Sequence, residues 1–141
     1  MNQAERREFL IRALLAERED GVGIAVPADA DDQRNLLRAL MNVRPPEPLA
    51  PETLAIQDAY LQERLVERGG AVDAATLAYR SRIALWRGDI TLLASDAIVN
   101  AANDQMLGCF VPGHSCIDNA IHTYAGMQLR LACANLMRAQ G

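Results

Sequence analysis

Hydrophobic positions in the first 80 residues recur with the period of an α-helix. Residues 4–17 place their apolar side chains on one face, which predicts an amphipathic helix. The same spacing predicts helices over residues 32–41 and from residue 51 to the glycine pair at 69–70, a typical helix C-terminus. The proline-rich residues 43–51 between these two helices are expected to be extended.

The hydrophobic pattern changes after residue 80. Residues 83–86 and 97–99 are short apolar runs flanked by turn formers, which predicts two buried strands, and helical spacing returns over residues 118–138. This order predicts the α/β class, with a helical extension over residues 1–80 and an α/β domain over residues 81–141. Two strands are too few for a stable sheet, so either further strands are hidden in the sequence or the domain is cut.

Composition excludes several classes of function. The 141 residues, half of them hydrophobic and 23% charged, are typical of a globular protein of about one domain. No apolar run is long enough for a membrane span, and the charged N-terminus lacks a signal peptide, so we expect a cytoplasmic protein without membrane partners. The net charge of −4 and the absence of a basic stripe argue against nucleic-acid binding.

Three of the five Cys and His residues lie in one loop segment, CFVPGHSC. Cys109, His114 and Cys116 have the spacing C-x4-H-x-C, and thiolates and imidazoles are preferred zinc ligands. Three nearby ligands would leave a fourth position open for water or substrate, as in catalytic zinc sites. The alternative is two unrelated cytosolic thiols and a surface histidine.

Cys133 and His122 are the remaining candidates for a fourth ligand. Cys133 shares helical spacing with Leu129 and Leu136, which favours a small core residue, and His122 is expected to be partly exposed. An odd number of cysteines without a secretion signal argues against a disulfide framework.

Two polar motifs accompany the predicted strands. In GDIT, Asp89 is expected at the carboxyl end of a parallel strand, where it could accept a hydrogen bond from an adenine amino group or a hydroxyl. In VNAAN, ending at Asn103, small alanines let the backbone approach a ligand, and the asparagines offer donors and acceptors. Alone, each motif is more typical of an ordinary turn.

Together, WRGDIT, DAIVNAAN and MLGCFVPGHSCIDNAIHTYAG resemble the macrodomain family, and the C-x4-H-x-C segment resembles its zinc-containing branch. The similarity runs from about Trp86 to Cys133, and LLRALMNVRPP and IQDAYLQERL look like the helical extension of that branch. The resemblance implies a three-layer α/β/α fold. It also implies a zinc-dependent hydrolase that removes ADP-ribose from acidic side chains of mono-ADP-ribosylated proteins.

The resemblance also assigns residues. Asp89 and the Ile90 backbone would hold the adenine of ADP-ribose, and Asn103 would contact the distal ribose as the catalytic residue. Zn²⁺ would be bound by Cys109, His114 and Cys116, with Cys109 also lining the ribose pocket. Among the carboxylates, Asp104 and Asp118 are near this loop, but Asp118 has the position of a helix N-cap, and neither is identified as a general base.

The sequence departs from the family pattern after residue 132. No glycine-rich diphosphate loop and no further strands follow, so we expect the helical extension and the first part of a truncated macrodomain. Two other functions stay open: a non-catalytic ADP-ribose-binding module, and an interaction protein whose residues 1–80 dock a partner while the site is inert.

Overall fold

The computed structural model describes residues 1–140 and contains five α-helices. Three lie in the N-terminal part, and two follow residues 109–116, called the ligand loop below. The helices are α1 (Gln3–Ala16), α2 (Ala30–Val43), α3 (Pro51–Glu67), α4 (Ile117–Ala125) and α5 (Met127–Gln140). The three predicted N-terminal helices are confirmed. None of the helices within the described range has the length and apolarity of a membrane span.

Local sequence signals account for the ends of the N-terminal helices. Asn2 caps α1 and forms a reciprocal capping box with Glu5, while the Asp29 carboxylate accepts hydrogen bonds from the backbone N–H groups of Asp31 and Asp32 in the first turn of α2. Pro51 occupies the first turn of α3. The predicted glycine stop is confirmed, because the backbone N–H groups of Gly69 and Gly70 close the last turn on Val66 and Leu65.

The hydrophobic core lies mainly between the three N-terminal helices. Helix α1 packs against both α2 and α3, and α2 packs in turn against α4. Most members of this core cluster are leucines of α1 and α2, and Tyr60 of α3 and Met127 of α5 also belong to it. This core therefore fixes the position of α2 and α4, the two helices that hold the ligand loop.

The strands are shorter than the sequence predicted. Strand β1 (Val72–Asp73) pairs in parallel with β4 (Leu93–Ala94), and β2 (Tyr79–Arg80) pairs antiparallel with β3 (Ile83–Ala84). The α/β class is confirmed by this mixture of helices and small sheets.

The prediction that residues 83–86 and 97–99 form buried strands is wrong. In the first run only the two residues of β3 are paired, and Leu85 is 99% exposed. Residues 97–99 form no strand, and Val99 is 87% exposed. An apolar run is buried as a strand only where neighbouring strands or helices cover it, and the described elements leave Ile83, Leu85 and Val99 largely uncovered.

The predicted helix over residues 118–138 is two helices. Gly126 separates α4 from α5 with φ 88° and ψ 166°, a backbone conformation open essentially to glycine alone. Periodicity continued across the break because α4 and α5 both present an apolar face to the core, so hydrophobic spacing alone did not reveal it.

Candidate metal centre and ligand loop

Cys109, His114 and Cys116 converge in the structure. Their ligand atoms all lie within 4.8 Å of one another, and Cys109 Sγ is 3.6 Å from His114 Nδ1. Both cysteines are half-buried, whereas His114 is exposed, so the cluster opens to solvent on the histidine side. The sequence spacing had placed these residues in one loop, and the fold brings their side chains together.

The geometry and chemistry of this cluster suit zinc. In a tetrahedral site, bonds of about 2.3 Å to sulfur and about 2.1 Å to nitrogen place neighbouring ligand atoms roughly 3.5 to 3.8 Å apart. The observed Cys109–His114 separation of 3.6 Å falls in that range. Two sulfurs and one imidazole therefore could hold a metal with only small side-chain adjustments.

Cys116 also forms the N-cap of α4. Its Sγ accepts a hydrogen bond from the backbone N–H of Asn119 at 3.4 Å, in the position that serine or aspartate usually occupies. The predicted N-cap role of Asp118 is wrong, because Asp118 lies one residue inside the helix and is buried. The metal cluster is thus attached directly to the start of a helix.

The segment before Cys109 is held by α5. The Arg130 guanidinium is buried, donates to the carbonyl oxygen of Leu107 at 2.6 Å and stacks on the Phe110 ring at 4.2 Å. Gly108 lies against the His122 ring so closely that a Cβ there would come within 2.7 Å of it. Both contacts restrict the backbone that presents Cys109.

His122, Asp118 and Asn100 form a buried polar cluster under the loop. Asp118 accepts a hydrogen bond from Asn100 Nδ2 at 2.7 Å, and its carboxylate lies 3.6 Å from His122 Nε2. His122 is 6% exposed, so the prediction of partial exposure is wrong. Burial lowers the pKa of His122, and the attraction of Asp118 does not offset that effect. The Asp118 carboxylate is therefore occupied inside the fold by Asn100 and His122.

Cys133 lies on α5, outside the three-ligand cluster. Its side chain is half-buried, so the predicted core position is only partly correct. Burial raises the pKa of its thiol.

Asp89 and Ile90 lie near the C-terminal end of α4, away from the metal cluster. Asp89 does not follow a parallel strand as predicted; it caps a short 3-10 turn (Ile90–Leu92), and its carboxylate accepts hydrogen bonds from Thr91 and from Arg68. Desolvation acts to raise the Asp89 pKa, but the hydrogen bonds from Thr91 and Arg68 outweigh it, and the pKa is lowered. A carboxylate has about four lone-pair positions, so a further donor can still bind.

Helix α4 connects the Asp89 region to the metal cluster. The Arg68 guanidinium that binds Asp89 also stacks over the Tyr124 ring at 3.5 Å, and Ile90 lines a cavity of about 160 Å³ with the last turn of the same helix. Cys116 and Tyr124 are eight residues apart, or roughly 12 Å along a helix. The two groups of predicted site residues therefore lie at opposite ends of α4.

Asn103 shapes the turn that precedes the metal loop. Its Nδ2 donates to the Gly108 carbonyl at 3.3 Å, and its Oδ1 accepts from the Gln105 backbone N–H at 3.0 Å. The side chain is exposed and retains a second amide proton and a free lone pair. Asn103 is thus held near Cys109 and can still contact a ligand.

The sequence interpretation missed the residues that hold the loop from neighbouring helices. Asn42 and Asn119 are buried and bond directly to the loop backbone. One signal was available, since Asn42 follows Leu40 and Met41 on the apolar side of α2, and a polar residue in such a position requires a partner.

Comparison with known proteins identifies the sequence relationship. Residues 99–141 match the Macro domain family model, and this range contains all three metal-ligand candidates. The chain is related to the macro domain family. The resemblance deduced from GDIT, VNAAN and the ligand loop is thereby confirmed at the level of the family.

Relatives extend this similarity over the helical part. The chain is 52% identical over 145 residues to a protein-ADP-ribose hydrolase of Treponema medium, which covers 100% of this chain and 56% of that protein. It is 46% identical over 138 residues to a protein of the same name from Staphylococcus aureus strain MRSA252, covering 96% of this chain and 51% of the relative. A probable bifunctional ADP-ribose hydrolase/ADP-ribosyltransferase of Fusarium oxysporum f. sp. cubense is 44% identical over 117 residues, covering 75% and 20% respectively.

The chain spans about half the length of the first two relatives. The similarity to them includes α1, α2 and α3 as well as the macro domain match, because it covers nearly all of this chain. Segments that align with the helical part and with the macro domain match therefore occur together in these proteins.

Proposed function

We propose that this macro-domain chain belongs to a zinc-dependent hydrolase that removes ADP-ribose from acidic side chains of ADP-ribosylated proteins. The observation that supports it best is the convergence of Cys109, His114 and Cys116 within 4.8 Å. Relatives that share this chain nearly end to end bear the name protein-ADP-ribose hydrolase. In this proposal residues 1–80 are the helical extension and residues 81–141 contribute to the macro domain.

The proposed roles follow from the chemistry of each side chain. The Asp89 carboxylate and the Ile90 backbone would bind the adenine, since Asp89 has acceptor capacity beyond its bonds to Thr91 and Arg68. The free amide proton and lone pair of Asn103 would orient the distal ribose, where a small misplacement costs rate steeply. Cys109 would line the ribose pocket from the metal side.

Cys109, His114 and Cys116 would hold the zinc. A zinc ion with an open position supplies Lewis acidity toward a ribose oxygen or a bound water. The exposed side of the cluster at His114 leaves room for such a ligand. Asp118 is excluded as the general base in this proposal, because its carboxylate is buried and bonded to Asn100.

Release of ADP-ribose from a protein modified on aspartate or glutamate tests the proposal. The zinc-loaded chain is expected to release ADP-ribose, to lose this activity in a chelator and to regain it with zinc. Cys116→Ser is expected to lose activity, whereas Cys133→Ser, outside the cluster, retains it. Binding of ADP-ribose without release would indicate a binding module, and no binding with no zinc in the protein would indicate an inert site.

A further inference from the structure

Helix α2, in the helical part of the chain, contacts the backbone of the ligand loop directly. The Arg38 guanidinium donates to the carbonyl oxygen of His114 at 2.9 Å. One helical turn later, Asn42 Oδ1 accepts a hydrogen bond from the Gly113 N–H at 3.0 Å. Two side chains on one face of α2 thus bind two successive residues of the loop.

Helix α4 completes this arrangement with a second pair of residues one turn apart. Asn119 Nδ2 donates to the Val111 carbonyl at 3.0 Å, and its Oδ1 accepts from Arg38 Nη2 at 2.7 Å. Thr123 Oγ1 accepts from Asn42 Nδ2 at 3.0 Å and donates to the Asn119 carbonyl at 2.7 Å. The two helices are therefore cross-linked to each other and to the loop.

Asn42, Asn119 and Thr123 of this network are buried, and they are bonded to one another or to the loop. Asn42 is 1% exposed and Asn119 is 0% exposed, and every hydrogen-bonding end of the two amides that faces the loop has a partner. Burial of an amide is unfavourable unless it is bonded, so the network is stable in this one arrangement. The bonded loop atoms lie in the segment that joins Cys109 to Cys116.

We propose that Arg38 and Asn42 are positioning residues for the metal, which set its affinity from the helical part of the chain. This inference rests on the proposed zinc site. Residues 110–115 are exposed, and ordering a free loop around a metal would cost conformational entropy. Because α2 and α4 hold the loop in place in the metal-free protein, this entropy is lost during folding and not during metal binding.

Zinc affinity, measured by competition with a chromogenic chelator, tests the inference. Arg38→Met removes the guanidinium but keeps an apolar stem, and it is expected to weaken zinc binding by about 10-fold to 100-fold, the usual effect of losing a group that orients metal ligands. The matched control is Arg34→Met, one turn earlier on α2, where the guanidinium pairs with Asp31 and not with the loop. It is expected to bind zinc with an affinity close to that of the wild type.

A role in stability alone is separated by melting the metal-free proteins. If Arg38 merely stabilised the fold, Arg38→Met would lower the metal-free Tm and leave zinc affinity at the wild-type value, which overturns the inference. Arg38→Lys, which keeps one donor toward His114, is expected to recover part of the affinity, and Asn42→Ala to lose affinity like Arg38→Met. If the wild type binds no zinc, the proposed function and this inference both fail; if only the variants are unchanged, this inference fails alone.

Discussion

Cys116 combines two roles that require different properties of one atom. As the N-cap of α4 its sulfur accepts a backbone hydrogen bond, and as a member of the Cys109–His114–Cys116 cluster it is available to a metal. Serine performs the first role at least as well, because its hydroxyl is a preferred cap, but its oxygen is a poor substitute for a soft thiolate. Substitution at this residue can therefore separate helix capping from metal binding.

Cys116→Ser is expected to leave the free energy of unfolding of the metal-free protein unchanged or slightly higher, and to lower zinc affinity strongly. Cys116→Ala loses both roles and is expected to destabilise the metal-free protein by about 1 kcal/mol. Denaturant unfolding in chelator and zinc competition measure the two effects. Retention of wild-type zinc affinity by Cys116→Ser would exclude this sulfur as a ligand.

His122 is a buried base beneath the ligand loop. Its pKa is lowered by burial, so the folded protein binds the imidazole proton less readily than the unfolded chain, whose histidine pKa is about 6.5. The stability that the neutral ring contributes is therefore present above about pH 6.5 and is lost as the pH falls through the lowered folded value.

His122→Gln is expected to flatten this pH dependence, because glutamine does not titrate. The free energy of unfolding of the metal-free proteins is measured in chelator between about pH 8 and pH 5. As the pH falls, the wild type should lose stability relative to the variant. The control is His114→Gln, which changes the other of the two histidines. It should keep the part of the pH dependence of stability that is due to His122. Equal slopes for wild type and His122→Gln would contradict the prediction.

At the scale of elements, α4 organises the site. Its first residue follows Cys116, and its last turn contacts the Arg68–Asp89 pair through Tyr124. Any displacement of this helix would move the metal cluster and the proposed adenine contact together. The break between α4 and α5 therefore matters to the site as well as to the fold.

Gly126→Ala is expected to destabilise the protein by about 1 to 3 kcal/mol, because alanine is strained in this backbone conformation. A Cβ at this position would also come within 2.5 Å of Gln128 Oε1 and 2.7 Å of Gln57 Nε2, and the Gln57 side chain joins α3 to the start of α5. Gly23→Ala is the matched control, since Gly23 has a similar φ of 87° and no atom near the added Cβ. A loss of stability for Gly126→Ala no larger than that for Gly23→Ala would show that the contacts with Gln57 and Gln128 are unimportant.

At the scale of the whole molecule, the helical part and the ligand loop are joined by hydrogen bonds from buried side chains. Arg130 of α5 donates to the carbonyl of Arg44 at the end of α2 as well as to Leu107 before the loop, and Asn42 links α2 to the loop and α4. Ordering the loop is thus coupled to the helical core.

Zinc is accordingly expected to stabilise the whole chain. A ligand that binds only the folded state at 100 times its Kd adds about 2.7 kcal/mol, which raises Tm by several degrees. Thermal unfolding with zinc, with chelator and with Cys116→Ser measures this. No difference between zinc and chelator in the wild type would contradict both the metal site and its coupling to the fold.

Local patterns determined much of this protein from the sequence alone. Helical periodicity, Pro51 and the glycine pair at 69–70 placed the three N-terminal helices, because caps and amphipathic spacing act within a few residues. The C-x4-H-x-C spacing likewise predicted the metal cluster, since its three members are close in the chain. Strand burial over residues 83–86 and 97–99 was wrong, because it depends on distant segments.

Only the tertiary structure decided what holds the ligand loop. Arg38 and Asn42 are more than 70 residues from the loop backbone that they bind, and no local pattern connects such positions. The same applies to the buried state of His122. The ligands are a property of neighbouring residues in the sequence, whereas their positioning arises from helices that meet only after the core has packed.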